Sequence, residues 1–254
     1  MFNSFDPASF AIAGLGIYLV GLSKAGFGGG LGILTTPLAV IAFNRLHKEP
    51  VFAIGVVLPL LCAADLFSIY YYRGKARRQN LKFLLPGVVV GTIIGLLLID
   101  KFSPRQMNVA IGIICIAFVL FQLAKEKIFA AEGTFAPNHA VGIPCGIGAG
   151  ITSTFANGAG PLVAMFLIPQ KLPKEVYVAT TALVFAWINW IKVIFFVPAR
   201  IITWETLQAS LALLVFVPLG VWSGLWLNRL IPERLFVKLV YTFTFLTGLQ
   251  LLWK

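Results

Sequence analysis

Apolar residues run along the chain in blocks separated by short polar interruptions. The blocks are Ala8–Leu22, Leu31–Phe43, Val51–Tyr72, Phe83–Ile99, Met107–Ala124, His139–Thr152, Pro161–Ile168, Val176–Val197, Leu207–Leu227 and Leu235–Trp253. A helix needs roughly 17–25 apolar residues to cross a bilayer core, so the longer blocks predict transmembrane helices. The short ones predict half-helices or re-entrant hairpins.

The order of blocks repeats. Leu31–Phe43 is split from Ala8–Leu22 by Ser23-Lys24-Ala25-Gly26-Phe27-Gly28-Gly29-Gly30. Pro161–Ile168 is split from His139–Thr152 by Ser153-Thr154-Phe155-Ala156-Asn157-Gly158-Ala159-Gly160. Each break is followed by a Lys-Glu pair, Lys48-Glu49 or Lys174-Glu175, just before a long block. Glycines recur at four-residue spacing in the next one, as Gly87, Gly91 and Gly95 or as Gly220 and Gly224. Asp100-Lys101-Phe102-Ser103-Pro104 answers Asn228-Arg229-Leu230-Ile231-Pro232. The pattern predicts an all-α integral membrane protein forming one transporter domain. It has two similar halves, 8–124 and 139–254, joined by a cytoplasmic linker 125–138. Each half holds a Gly-rich broken or re-entrant helix pair plus three transmembrane helices.

Composition agrees. Of 254 residues, 59% are hydrophobic and 11% charged, with mean hydropathy +0.92. A soluble domain carries about 25% charged residues, so an ordinary cytosolic enzyme, a disordered chain and a disulfide scaffold are excluded. The net charge of +11 sits in clusters between apolar runs, not along one helix face, which argues against nucleic acid as a partner. Placing Arg73, Lys75, Arg77, Arg78 and Lys82 in the cytoplasm puts twelve cations inside and six outside. By the positive-inside rule both termini of this multi-pass membrane protein are then expected outside. Because each half crosses an effectively odd number of times, the second is inverted relative to the first. Met1–Pro7 lacks Lys and Arg, so the first block is expected to be a mature span and not a cleaved signal. Cys62, Cys115 and Cys145 lie within apolar segments and read as small buried hydrophobes.

Inverted repeats with broken helices place substrate near the midplane, at the breaks. Gly28, Gly29 and Gly30 permit close backbone approach, and half-helices starting near Leu31 and Pro161 would aim positive dipole ends at a bound anion. The substrate-binding candidates are therefore Ser23, Lys24, Gly28, Gly29, Gly30, Ser153, Thr154, Asn157, Gly158, Thr180 and Thr181, with Thr35 and Thr36 flanking the first break. The glycine ridges in the continuous blocks read as helix packing.

Ionisable groups inside spans are functional candidates, because burying one is costly. Asp65 and Lys192 qualify, with Asn189 one turn before Lys192, and these three are the coupling or gating candidates. With a rise of about 1.5 Å per residue, Asp65 falls about 10 Å from the inner end of its helix. Lys192 falls about 8 Å from the outer end by the same rise, so separate gates are expected in preference to one buried pair, with helix tilt able to bring the two closer. Tyr70–Tyr72, Trp204, Trp226 and Trp253 read as interfacial belt residues. His47 and His139 lack partners at ligand spacing; no metal, cofactor or catalytic residue is expected, nor does a nucleotide-binding loop occur. Expected partners are a small anion, the lipid bilayer and a coupling proton or sodium ion; a homodimer is left open.

Gly26-Phe27-Gly28-Gly29-Gly30 with Pro37-Leu38, and Leu58-Pro59-Leu60-Leu61-Cys62-Ala63-Ala64-Asp65, resemble the first-half motifs of the sulfite exporter TauE/SafE family. Ala156-Asn157-Gly158-Ala159-Gly160-Pro161, Val178-Ala179-Thr180-Thr181 and Asn189-Trp190-Ile191-Lys192-Val193 resemble its second-half signature. The resemblance covers both repeats. It implies a transporter of the bacterial inner (cell) membrane exporting sulfite, a sulfonate or a related small anion. The reading of the residues is then a secondary transporter, with a passive anion channel or a membrane subunit of another assembly as alternatives. Two departures are visible: the second break reads Gly158-Ala159-Gly160, and Ala164 stands where proline is frequent.

Overall fold

The apolar blocks fold as helices that reach past their predicted ends into the polar breaks. The computed structural model describes residues 7–26, 35–99, 101–128, 136–227 and 233–253. In the first half these form α1 (Pro7–Gly26), α2 (Thr35–Asn44), α3 (Pro50–Tyr71), α4 (Gln79–Ile99) and α5 (Pro104–Ile128). In the second they form α6 (His139–Ala156), α7 (Gly160–Leu167, with a 3-10 turn Ile168–Gln170), α8 (Lys174–Phe196), α9 (Trp204–Leu213), α10 (Phe216–Leu227) and α11 (Glu233–Trp253). Among the described residues no strand occurs. Helix α5 continues about a turn into the segment expected to be linker.

Among the described residues, four helical stretches are long and apolar enough to cross a membrane: Pro50–Tyr71, Gln79–Ile99, Pro104–Phe121 and Glu175–Phe196. Where one continuous span is expected over Leu207–Leu227, the chain forms two helices, α9 and α10, bent by 42° and together long and apolar enough to cross. Pro218 is the physical reason: it has no N–H for the carbonyl of Leu214, and its ring crowds that carbonyl. The chain tightens there, with Leu214 N–H donating to Leu211 at 3.3 Å and Val217 N–H to Leu214 at 3.0 Å. Large apolar side chains such as Leu66, Leu97, Leu123, Ile194 and Trp222 are exposed, as a surface facing lipid tails requires.

Packing is set by glycine. Gly87 and Gly91 of α4 lie against the main chain of α6 at Ile143 and Ile147, while Gly142, Gly146 and Gly150 of α6 receive the main chain of α4 in return. Gly21 of α1 and Gly220 and Gly224 of α10 meet in the same manner, at Val217, Tyr18 and Leu22. A Cβ at any of these positions would collide with backbone. The packing role expected for the ridges is what the structure shows. The α6 ridge, Gly142, Gly146 and Gly150, carries the same four-residue spacing. Helix α3 packs on α8, and α5 on α11. The buried side chains form two clusters, one drawn largely from α1, α2, α3 and α5, the other from α4, α6, α7 and α8.

Loops that the cation count assigns to one side meet one another. Lys75, after α3, pairs with Glu175, at the start of α8, at 3.0 Å. On the opposite side Lys48, before α3, pairs with Glu205, at the start of α9, at 2.7 Å, and the Arg105 guanidinium donates to the carbonyl of Leu252 at 3.1 Å.

Candidate polar centre at the second break

Helix α6 ends because Asn157 adopts a left-handed conformation, φ 53°, which asparagine tolerates better than most residues. Its N–H donates to the carbonyl of Ser153 at 3.1 Å, and Gly158 N–H donates to Thr152 at 3.2 Å. Two residues later the chain is helical again, with Pro161 in the first turn of α7, where a missing N–H costs nothing. A break at membrane depth leaves the last carbonyls of α6 and its negative dipole end needing donors.

Lys192 supplies one. This fully buried side chain reaches from α8, and its Nζ donates to the Ser153 carbonyl at 3.1 Å and to the Asn157 side-chain oxygen. A cation at a helix C-terminus interacts favourably with the dipole, and in a low-dielectric interior that interaction is strengthened. The ammonium also lies 5.9 Å from the centre of the Phe196 ring. Asn157 in turn donates through Nδ2 to the hydroxyl of Thr36 at 2.8 Å. Thr36 belongs to the first turn of α2, so the end of the second-half break is bonded to the helix that follows the first-half break.

One turn before Lys192, Asn189 donates through Nδ2 to Asp65 Oδ2 at 2.6 Å. Asp65 is fully buried and Asn189 nearly so. This geometry corrects the expectation of two distant gates. Three residues of helix rise by only about 4.5 Å, so Asp65 meets α8 at a level neighbouring that of Lys192. Depth counted from helix ends does not contain how α3 and α8 are placed against each other.

The other candidates separate. Ser153 joins the centre through its carbonyl. Gly158 is buried in the break. Thr154 points away: its hydroxyl donates to the Gly150 carbonyl at 2.8 Å, and its side chain packs over Gly95 of α4. Thr180 and Thr181 donate back to Val176 and Tyr177 at 2.6 and 2.9 Å, and Thr180 accepts from Arg77 N–H at 2.9 Å. They lie near the α3–α4 loop, about 16–18 Å along α8 from Lys192, and are not brought to the break. Thr35 donates to the Gly16 carbonyl at 3.4 Å. Ser23 and Lys24 lie within α1, which continues to Gly26 and so runs past the predicted start of the first break. Gly28, Gly29 and Gly30 lie outside the described residues. Among the described residues no group of His, Cys, Asp and Glu is placed to hold a metal ion.

Sequence reasoning set Thr36 only among flanking residues, although it bonds to Asn157 of the other half. It also missed the buried polar side chains of Asn80 and Gln170. Their signal, a polar residue inside an apolar run, was present but not distinctive.

A family model for the sulfite exporter TauE/SafE proteins matches residues 12–251. Neither the curated proteins nor the solved structures contain a match to the chain.

Proposed function

The chain belongs to the sulfite exporter TauE/SafE family of membrane transporters, and from that premise we propose that it is a secondary transporter moving a small anion by alternating access. The substrate class is sulfite, an organosulfonate or a related organic anion, and the direction is export. The carrying observation is the chain of contacts Thr36–Asn157–Lys192, in which a buried cation and both halves meet at an interrupted helix. Interrupted helices within a bilayer persist where they are buried in protein or line a watery cavity.

In this reading Lys24, the main-chain N–H groups of Gly28, Gly29 and Gly30, Ser23, Ser153, Asn157 and Gly158 form the anion's surroundings. Asp65 carries a coupling proton or closes a gate, and Lys192 is the cationic stop that also holds the break in shape. Asn189 positions Asp65.

The halves are proposed to be inverted repeats. Support comes from reciprocal packing: α1 lies on α10 as α6 lies on α4, and α3 on α8 and α5 on α11 pair like with like. The loop residues with positive φ also recur in order, His47 and Gly74 in the first half, Lys171 and Arg200 in the second. The ion pairs Lys48–Glu205 and Lys75–Glu175 are reciprocal too: each joins the region at the start of the long helix α3 or α8 of one half to the region just after that helix's counterpart in the other half. With the Lys75–Glu175 side in the cytoplasm, both termini face outward across a bacterial inner membrane.

The test is transport by the purified chain in proteoliposomes. Accumulation of sulfite, a sulfonate or a carboxylate against its gradient, driven by protons or sodium and lost in Asp65→Asn, supports the proposal. Downhill equilibration alone would identify a passive channel, and no flux of any of these anions under either gradient would sink the transport reading.

A further inference from the structure

A groove of about 320 Å³ opens between the α3–α4 loop of the first half and α8 of the second. At its loop end stand Arg73 and Arg78, both exposed. From there Ala179, Leu183 and Trp187 line it from α8, and Ile69 from α3. Those three α8 residues are four apart, so they share one face and form a stripe about 12 Å long running along the helix, away from the loop. Trp187, at its far end, is 47% exposed, in a helix that is itself a membrane-crossing candidate. The groove therefore has a cationic head at the end of two spans and an apolar tail directed into the bilayer.

Charge around the head is one-sided. The segment from Arg73 to Lys82 holds five cations and no carboxylate. Facing it from α8 is Glu175, which is engaged with Lys75 at 3.0 Å. The two exposed guanidinium groups of Arg73 and Arg78 suit a phosphate diester, which arginine can bind bidentately. A soluble anion would use the head and leave the stripe unexplained.

We propose that this groove is a binding site for an anionic phospholipid, with its phosphate on Arg73 and Arg78 and an acyl chain along Ala179, Leu183 and Trp187. The bound lipid bridges the two halves beside the Lys75–Glu175 pair and the Arg77–Thr180 hydrogen bond. Basic pockets between transmembrane helices are recognised sites for such head groups.

The test is native mass spectrometry of the full chain, stripped of lipid in detergent and then given phosphatidylglycerol or phosphatidylcholine. The expected result is one retained phosphatidylglycerol and no comparable retention of phosphatidylcholine. Arg73→Gln with Arg78→Gln should weaken retention on the order of 30-fold, Trp187→Ala should weaken it as well, and Lys101→Gln, on the other side of the protein, should not. The arginine variants alter exposed side chains, and an unchanged melting temperature in phosphatidylcholine confirms that they are folded. Wild-type retention in the double arginine variant overturns the proposal, as does displacement of the lipid by millimolar inorganic phosphate, which would make the groove a soluble-anion site.

Discussion

The side-chain amide of Asn157 lies 2.8 Å from the hydroxyl of Thr36, although 121 residues separate them. Asn157 ends α6 and Thr36 lies in the first turn of α2, so this bond joins the second-half break to the helix following the first. The same asparagine accepts from Lys192, and a change at any of the three is therefore felt by the other two.

Replacing Lys192 by methionine keeps much of the volume but leaves the Asn157 oxygen without its ammonium partner and the end of α6 without its cation. The cost is about 3 kcal/mol of stability, read as a lowered melting temperature in detergent. Transport should be abolished, and Lys192→Arg should restore stability only in part, because a guanidinium is larger and planar.

Asn157 separates backbone from side-chain roles. Glycine accepts φ 53° freely and alanine pays about 1 kcal/mol, so Asn157→Ala should melt below Asn157→Gly. Both lose the bonds to Thr36 and Lys192, and both should lose transport. Equal activity of Asn157→Gly and the native protein would remove the side chain from the proposed site.

The glycine ridges should tolerate no added methyl. Gly91→Ala places a Cβ on the carbonyl of Ile147, and Gly220→Ala places one on that of Tyr18. Each should destabilise by about 1–3 kcal/mol. Gly74→Ala, with open space around it and φ 79°, is strained by its backbone alone and should cost nearer 1 kcal/mol. Thermal melts of the three variants in one detergent rank them.

The ion pairs Lys48–Glu205 and Lys75–Glu175 are both well exposed. A double-mutant cycle on either should return at most about 1 kcal/mol, falling with salt. If they close opposite faces during the transport cycle, breaking one should change flux much more than melting temperature, and the exchange Lys48→Glu with Glu205→Lys should recover it.

Much of the fold follows from the chain's own pattern. Long uncharged runs cannot be covered by water-facing charges, so the membrane class and the helix positions follow from composition and run length. Glycines four residues apart announced close packing, since their spacing is a property of one helix. The bend before α10 was legible too, in Pro218, but an unbroken apolar count conceals it. Asp65, Asn189 and Lys192 stood out because ionisable and amide groups inside apolar runs are costly to bury.

What they do together was decided only by tertiary structure. Spacing within α8 puts Asn189 beside Lys192, yet nothing in it says that α3 crosses α8 where Asp65 meets Asn189. Hydroxyls of Thr154, Thr180 and Thr181 look alike in sequence to those of a binding site, and they turn back on their own helices. A helix sets which residues share its face. Which other face it meets, and at what depth, depends on packing between segments over a hundred residues apart, and there the Thr36–Asn157–Lys192 centre came into being.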